Sequence, residues 1–105
     1  MVQVSVVSGF DWDDGNRHKC CRHGVAQAEI ESLFHHELRV FPDVRHSTNE
    51  TRYFAVGRTD SGRYVFVAFT LRTHSGSRYI RPISARFMHL REVRHYEAEI
   101  AGRQN

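Results

Sequence analysis

Hydrophobic and polar positions alternate at the start of the chain, with Val2, Val4 and Val6 set against Gln3 and Ser5. That period of two predicts a strand, and the missing basic flank argues against a signal-peptide core. Phe10-Asp11-Trp12-Asp13 reads as a strand end with its rings turned inward. Asp13 or Asp14 then offers an N-cap for a short polar helix over about 15–22, stopped by Gly24. From about 26 to 36 the period lengthens: Ile30, Leu33 and Phe34 form one stripe opposite Gln27, Glu29 and Glu31. Leu38-Arg39-Val40-Phe41 is a short strand closed by Pro42-Asp43, and 43–51 is the longest polar stretch, a loop.

A sheet follows. Residues 52–59 alternate Phe54 and Val56 with Tyr53, Ala55 and Gly57, and Asp60-Ser61-Gly62 supplies a tight hairpin connection. Tyr64-Val65-Phe66-Val67-Ala68-Phe69 is apolar on both faces and predicts a central, fully covered strand. It runs out through Thr70-Leu71-Arg72 into a loop over 73–77. The last strand, near 78–85, contains Pro82, which cannot donate to a ladder and so marks a bulge or an edge-facing position. At Arg86 the period changes from two to about 3.6, and a final helix puts His89, Val93, Tyr96 and Ile100 on one side. This order predicts an α+β fold: two N-terminal helices and one C-terminal helix against one face of a twisted antiparallel sheet.

A length of 105 residues fits one domain over 1–105, with 1–9 as a strand or an extension. No apolar run approaches the roughly 20 residues of a membrane span, so the expected location is the cytoplasm. Charge sharpens the picture. Residues 1–51 hold five basic and eight acidic side chains, whereas residues 52–105 hold ten basic, all of them Arg, and four acidic. Arg grips phosphate or carboxylate with a two-pronged fork, which points to RNA, DNA or an acidic protein partner. A GC-rich genome favours Arg over Lys too, whatever the function. Cys20-Cys21 with His18 and His23 invites zinc, but adjacent cysteines rarely share one ion and no second pair stands at C-x-x-C spacing. No metal or cofactor is expected, and one thiol is expected to pack in the core.

The candidate chemistry centres on the stretch from Tyr79 to Tyr96. A guanidinium at Arg86, a carboxylate at Glu92 and a phenol at Tyr96, the last two four apart on one helical face, suit work on a phosphodiester. Read blandly, Arg86–Glu92 is a salt bridge and Tyr96 a core ring. Arg58 and Arg72, near strand ends, complete a phosphate clamp with Arg86 if all three converge. His23, Glu92 and Tyr96 compete for proton transfer: His23 has the most suitable unperturbed pKa, near 6.5, yet at a helix end a C-capping role is the preferred reading of it. Glu92 beside Arg86 is too acidic for a good base unless burial raises it.

Over about 10–97 the chain resembles the BrnT toxins of type II toxin–antitoxin pairs. The matching signatures are Phe10-Asp11-Trp12-Asp13, Gly15-Asn16 with Lys19, His23-Gly24-Val25 and Glu29 to Phe34. They continue with Arg52, Gly57-Arg58-Thr59, Phe66-Val67-Ala68-Phe69-Thr70 with Arg72, Ile83-Ser84-Ala85-Arg86, Met88, Glu92 and Tyr96. The resemblance implies a RelE-like fold and an RNA-cleaving toxin. It further implies a BrnA-like ribbon-helix-helix antitoxin that neutralises the toxin, in a toxin–antitoxin heterotetramer, and operator DNA bound only through that complex. Two departures stand out: His89 and Ala26 occupy N-cap places where Ser, Thr or Asn would complete a capping box with Glu92 and Glu29. Metal-independent cleavage by an internal 2′-hydroxyl is the first functional reading. A basic module that docks an antitoxin or nucleic acid without turnover is the second.

Overall fold

The computed structural model describes residues 7–103. The strand read at Val2, Val4 and Val6 lies outside the described residues. Five strands and three helices follow in the order β1 (Gly9–Phe10), α1 (Asp14–Cys21), α2 (Gln27–Leu33), β2 (Arg39–Pro42), β3 (Arg52–Arg58), β4 (Tyr64–His74), β5 (Ser77–Phe87) and α3 (Leu90–Arg103). A single 3₁₀ turn at Val44–His46 interrupts the long loop. In the sheet the strands run β1-β5-β4-β3-β2. β4, the apolar run, is the middle strand, but it is not fully covered as expected: Tyr64 and Phe66 on its front face are only half-buried.

The sheet is mixed, not antiparallel throughout. β1 pairs with β5 in parallel, Gly9 beside Tyr79 and Phe10 beside Ile80. Such a two-residue edge pairing leaves no periodic signal in the sequence. The other pairings are antiparallel. β4 and β5 are also longer than expected, because the anticipated 73–77 loop shrinks to a tight turn. Ser75 at φ 51° and Gly76 at φ 80° reverse the chain there. Pro42 closes β2 from inside, tolerated because β2 is an edge strand.

Pro82 has a larger effect. Ala68 pairs with Ser84 and Phe69 with Pro82, so one residue of β5 is extra at this point. The bulge exchanges the faces of β5: before it Tyr79 and Arg81 stand opposite Arg72 and Thr70, after it Ser84 and Arg86 stand opposite Ala68 and Phe66. Four β5 side chains of mixed parity thereby share one side of the sheet.

One side is the core face. Ala55, Val65, Val67, Phe69, Ile80 and Ala85 pack there against Cys20 of α1 and Ile30 and Leu33 of α2. Each fully buried Ile or Leu contributes roughly 1.5–3 kcal/mol relative to exposure. A Cβ on Gly57 would stand 3.1 Å from the Leu38 Cβ, so glycine allows the chain after α2 to close on β3. Asp13 caps α1 by accepting from the Asn16 N–H at 3.0 Å, while the Asn16 carbonyl oxygen accepts from the Asp13 N–H at 2.7 Å. At α2 and α3 only the reciprocal half of the box exists: Glu29 and Glu92 each accept from the N-cap N–H, of Ala26 and His89, at 2.9 Å. α2 stops at Leu33, short of the expected 36.

α3 lies on the other side. Its contacts run to Arg58, Tyr64 and Arg86, which point away from the core. The helices therefore cover both faces, α1 and α2 behind and α3 in front, and the expectation of one helical layer is corrected. The cause is the pleat: Tyr64 and Phe66 alternate with core-facing Val65 and Val67, and α3 follows the former pair.

Candidate active site at the α3 end of the sheet

Arg86 leaves β5 opposite Phe66, with its guanidinium carbon 5.3 Å from that ring. It grips Glu92 in the first turn of α3 through two parallel bonds, Nη1 to Oε1 at 2.8 Å and Nη2 to Oε2 at 2.9 Å. This fork, joined by the His89 N–H, holds the Glu92 carboxyl down to about 2. A carboxylate so stabilised is a poor base. Three of the five Arg86 N–H donors stay clear of Glu92 and can receive a phosphate.

Arg58 ends β3 opposite Tyr64, its guanidinium carbon 4.7 Å above the Tyr64 ring. Glu97 of α3 bridges the two, accepting from Arg58 Nη2 at 3.5 Å and from the Tyr64 hydroxyl at 3.2 Å. The Tyr96 ring meets Tyr64 edge-on at 5.7 Å. Burial pushes the Tyr96 phenol above its ordinary value, with Arg39 acting in the opposite direction. The phenol is thus a proton donor at neutral pH. Arg39, Arg58, Thr59, Tyr64, Tyr96 and Ile100 line a half-open cleft of about 470 Å³.

The structure places four of the six residues read from the sequence along α3, as two groups: Arg86 with Glu92, and Arg58 with Tyr96 at the cleft. Arg58 and Arg86 are about 12 Å apart at Cα by strand spacing. Arg72 shares their face but lies six residues along β4 from Phe66, about 20 Å away. There it grips Glu50 of the long loop at 2.9 and 3.0 Å. His23 is exposed after α1, in the layer behind the sheet. A single clamp of Arg58, Arg72 and Arg86 does not form.

Several neighbours escaped the site reading: Arg39, Tyr64, His36 and Glu37 in the cleft lining, and Glu97 beside Arg58. Tyr64 was legible in principle, because counting back through the Asp60-Ser61-Gly62 turn pairs it with Arg58. Glu97 follows Tyr96 directly, and no periodicity flags it. Among the described residues no three His, Cys, Asp or Glu side chains gather as a metal site needs. Cys20 is buried in the core, its thiol pushed up to about 11 by burial, and Cys21 is half-buried.

Residues 12–92 match the model of a family described as ribonuclease toxin, BrnT, of type II toxin–antitoxin system. The chain belongs to the BrnT family. Membership implies an antitoxin protein as partner and RNA as target. The matched span includes His23, Arg58, Arg72, Arg86 and Glu92, and ends before Tyr96 and Glu97. No curated protein matches the chain. Among the described residues no helix is long and apolar enough to cross a membrane.

Proposed function

We propose that this BrnT chain cleaves RNA without a metal, by attack of a ribose 2′-hydroxyl on the adjacent phosphorus, at the α3 end of its sheet. The observation that carries this reading is the meeting of Arg58 with two phenols, Tyr64 and Tyr96, around one cleft, while Arg86 is held on the same face by Glu92, one helical turn before Tyr96. The 2′-oxygen bonds to phosphorus, the bond to the 5′-oxygen breaks, and a cyclic phosphate and a free 5′-hydroxyl remain. Arg58 and Arg86 neutralise the charge that builds on the phosphorane. Tyr96, kept protonated by burial, gives its proton to the departing 5′-oxygen. Glu97, an exposed carboxylate within reach of Arg58 and Tyr64, takes the 2′-hydroxyl proton. Glu92 aims Arg86 and takes no proton itself.

The same reading extends to partner and setting. The chain works in the cytoplasm with a RelE-like fold, and a BrnA-like ribbon-helix-helix antitoxin covers the guanidiniums and carries the complex to operator DNA as a heterotetramer. The arginine-rich face that would hold phosphate also suits an acidic antitoxin segment.

Purified, antitoxin-free protein incubated with RNA tests the proposal. Cleavage that persists in chelator and leaves cyclic phosphate ends is the expected result. Binding of RNA without cleavage would instead make this a docking module, and loss of cleavage in chelator would remove the metal-free mechanism.

A further inference from the structure

α3 leaves part of the front face open. Phe41, Phe54 and Phe66 form a diagonal row over β2, β3 and β4, with Phe41 at the edge where Tyr96, Glu99 and Ile100 of α3 come down beside Arg39. Phe41 stands opposite Phe54 in the β2–β3 register, and the Phe54 and Phe66 rings lie 4.9 Å apart at 40°. None of the three belongs to the core cluster or packs against it. Phe41 is 38 % exposed, and the other two are half-buried.

Each ring has a guanidinium beside it on the same side of the sheet. Arg39 precedes Phe41 by two residues on β2, Arg52 precedes Phe54 by two on β3, and Arg86 faces Phe66 from β5. Arg39 and Arg52 have no carboxylate partner among the described residues, whereas Arg58, Arg72, Arg81 and Arg86 are ion-paired. Two rings each with a cation on their own strand, and a third with a cation from the next strand, repeat the alternation of base and phosphate along a nucleotide chain. A protein helix would want a continuous apolar groove, and here arginines break the row.

We infer that the Phe41–Phe54–Phe66 row is a stacking platform for unpaired bases of single-stranded RNA, with Arg39 and Arg52 on its phosphates, leading the strand to Arg86. The inference rests on the RNA-cleaving reading for its substrate class. It predicts that duplex RNA, whose bases are stacked on one another, binds the platform poorly.

The test is the affinity of the full chain for a short single-stranded RNA with 2′-O-methyl ribose throughout, which cannot supply the attacking hydroxyl. Phe41→Ala weakens binding by about fivefold to a hundredfold, and Phe41→Trp restores it. Both keep the wild-type thermal midpoint, because Phe41 lies outside the core. Phe41→Ala leaves the slope of log affinity against log salt unchanged, while Arg52→Ala lowers it by about 0.7. Wild-type affinity in Phe41→Ala overturns the platform, as does a Phe41→Ala defect confined to binding of the cognate antitoxin. A chain that binds this RNA through Phe41 yet cleaves no RNA keeps the platform and removes the nuclease reading. Normal RNA binding and cleavage in Phe41→Ala does the reverse.

Discussion

Arg86 on the last strand and Glu92 on the last helix are locked fork to fork, at 2.8 and 2.9 Å, and this pair fastens α3 to the sheet. No other α3 contact is as strong. Among its described residues the helix buries no side chain fully, Leu90 is 64 % exposed, and Arg58 reaches Glu97 only at 3.5 Å. The pair consequently ties stability to pH. The folded Glu92 carboxyl sits at about 2, below its ordinary 4.5, so folding favours the deprotonated form. The contribution is present above about pH 4.5 and lost as pH falls toward 2. Thermal midpoints should show wild type above Glu92→Gln at pH 7, with the gap closing between pH 4.5 and 2.5. High salt should narrow it too, since both side chains remain partly solvated. A gap that stays constant with pH would remove the linkage.

Tyr96 separates chemistry from packing. Its ring leans on Tyr64, and its hydroxyl is the proposed acid. Tyr96→Phe keeps the ring and removes the proton. The expected outcome is a fall in cleavage at saturating RNA of about a hundredfold or more, with KM and thermal midpoint near wild type. Because burial holds the phenol above its usual value, the loss of activity from its deprotonation should fall above pH 10. A Tyr96→Phe enzyme with full turnover would leave Tyr96 only a packing role.

Arg72 should behave differently from Arg86. It stands about 20 Å down the same face, occupied by Glu50. Arg72→Ala should raise KM for long RNA and spare kcat, whereas Arg86→Ala should lower kcat. The lost Arg72–Glu50 pair, half-exposed on both sides, costs less than about 1 kcal/mol. Steady-state kinetics on short and long substrates distinguish the two, and equal kcat losses in both variants would place Arg72 at the chemistry after all.

Much of this was legible in the residues. The unbroken run from Tyr64 to Phe69 marked the middle strand, Pro82 marked either a bulge or an edge, and six residues from Arg86 to Glu92 span one strand end and one helical turn. What escaped reading depends on parity and distance. A single extra residue in β5 decides which arginines face forward, and no pattern of types reveals that. Arg72 looked like a clamp member because the turn at Ser75-Gly76 hid how far β4 extends. His23 looked available because its chemistry fits, but α1 carries it behind the sheet. The parallel pairing of β1 rests on two residues, too short for any period.

Asn16 shows what a buried amide does for the site at a distance. It is 7 % exposed, and its side-chain N–H groups donate to the carbonyls of Asp11 at 3.0 Å and Pro82 at 2.9 Å. With its oxygen capping the Asp13 N–H, it joins α1, the end of β1 and the β5 bulge. Asn16→Leu fills similar space but strands those partners, the Pro82 carbonyl in a buried setting, at a cost of about 1–3 kcal/mol. Asn16→Asp keeps the cap and loses the donors, so it should also destabilise. Since the bulge sets which face Arg81 and Arg86 occupy, the activity of Asn16→Leu should fall beyond its unfolded fraction. Denaturant midpoints paired with cleavage rates below the transition check this. Full specific activity in a merely destabilised variant would mean that the bulge holds its register without Asn16.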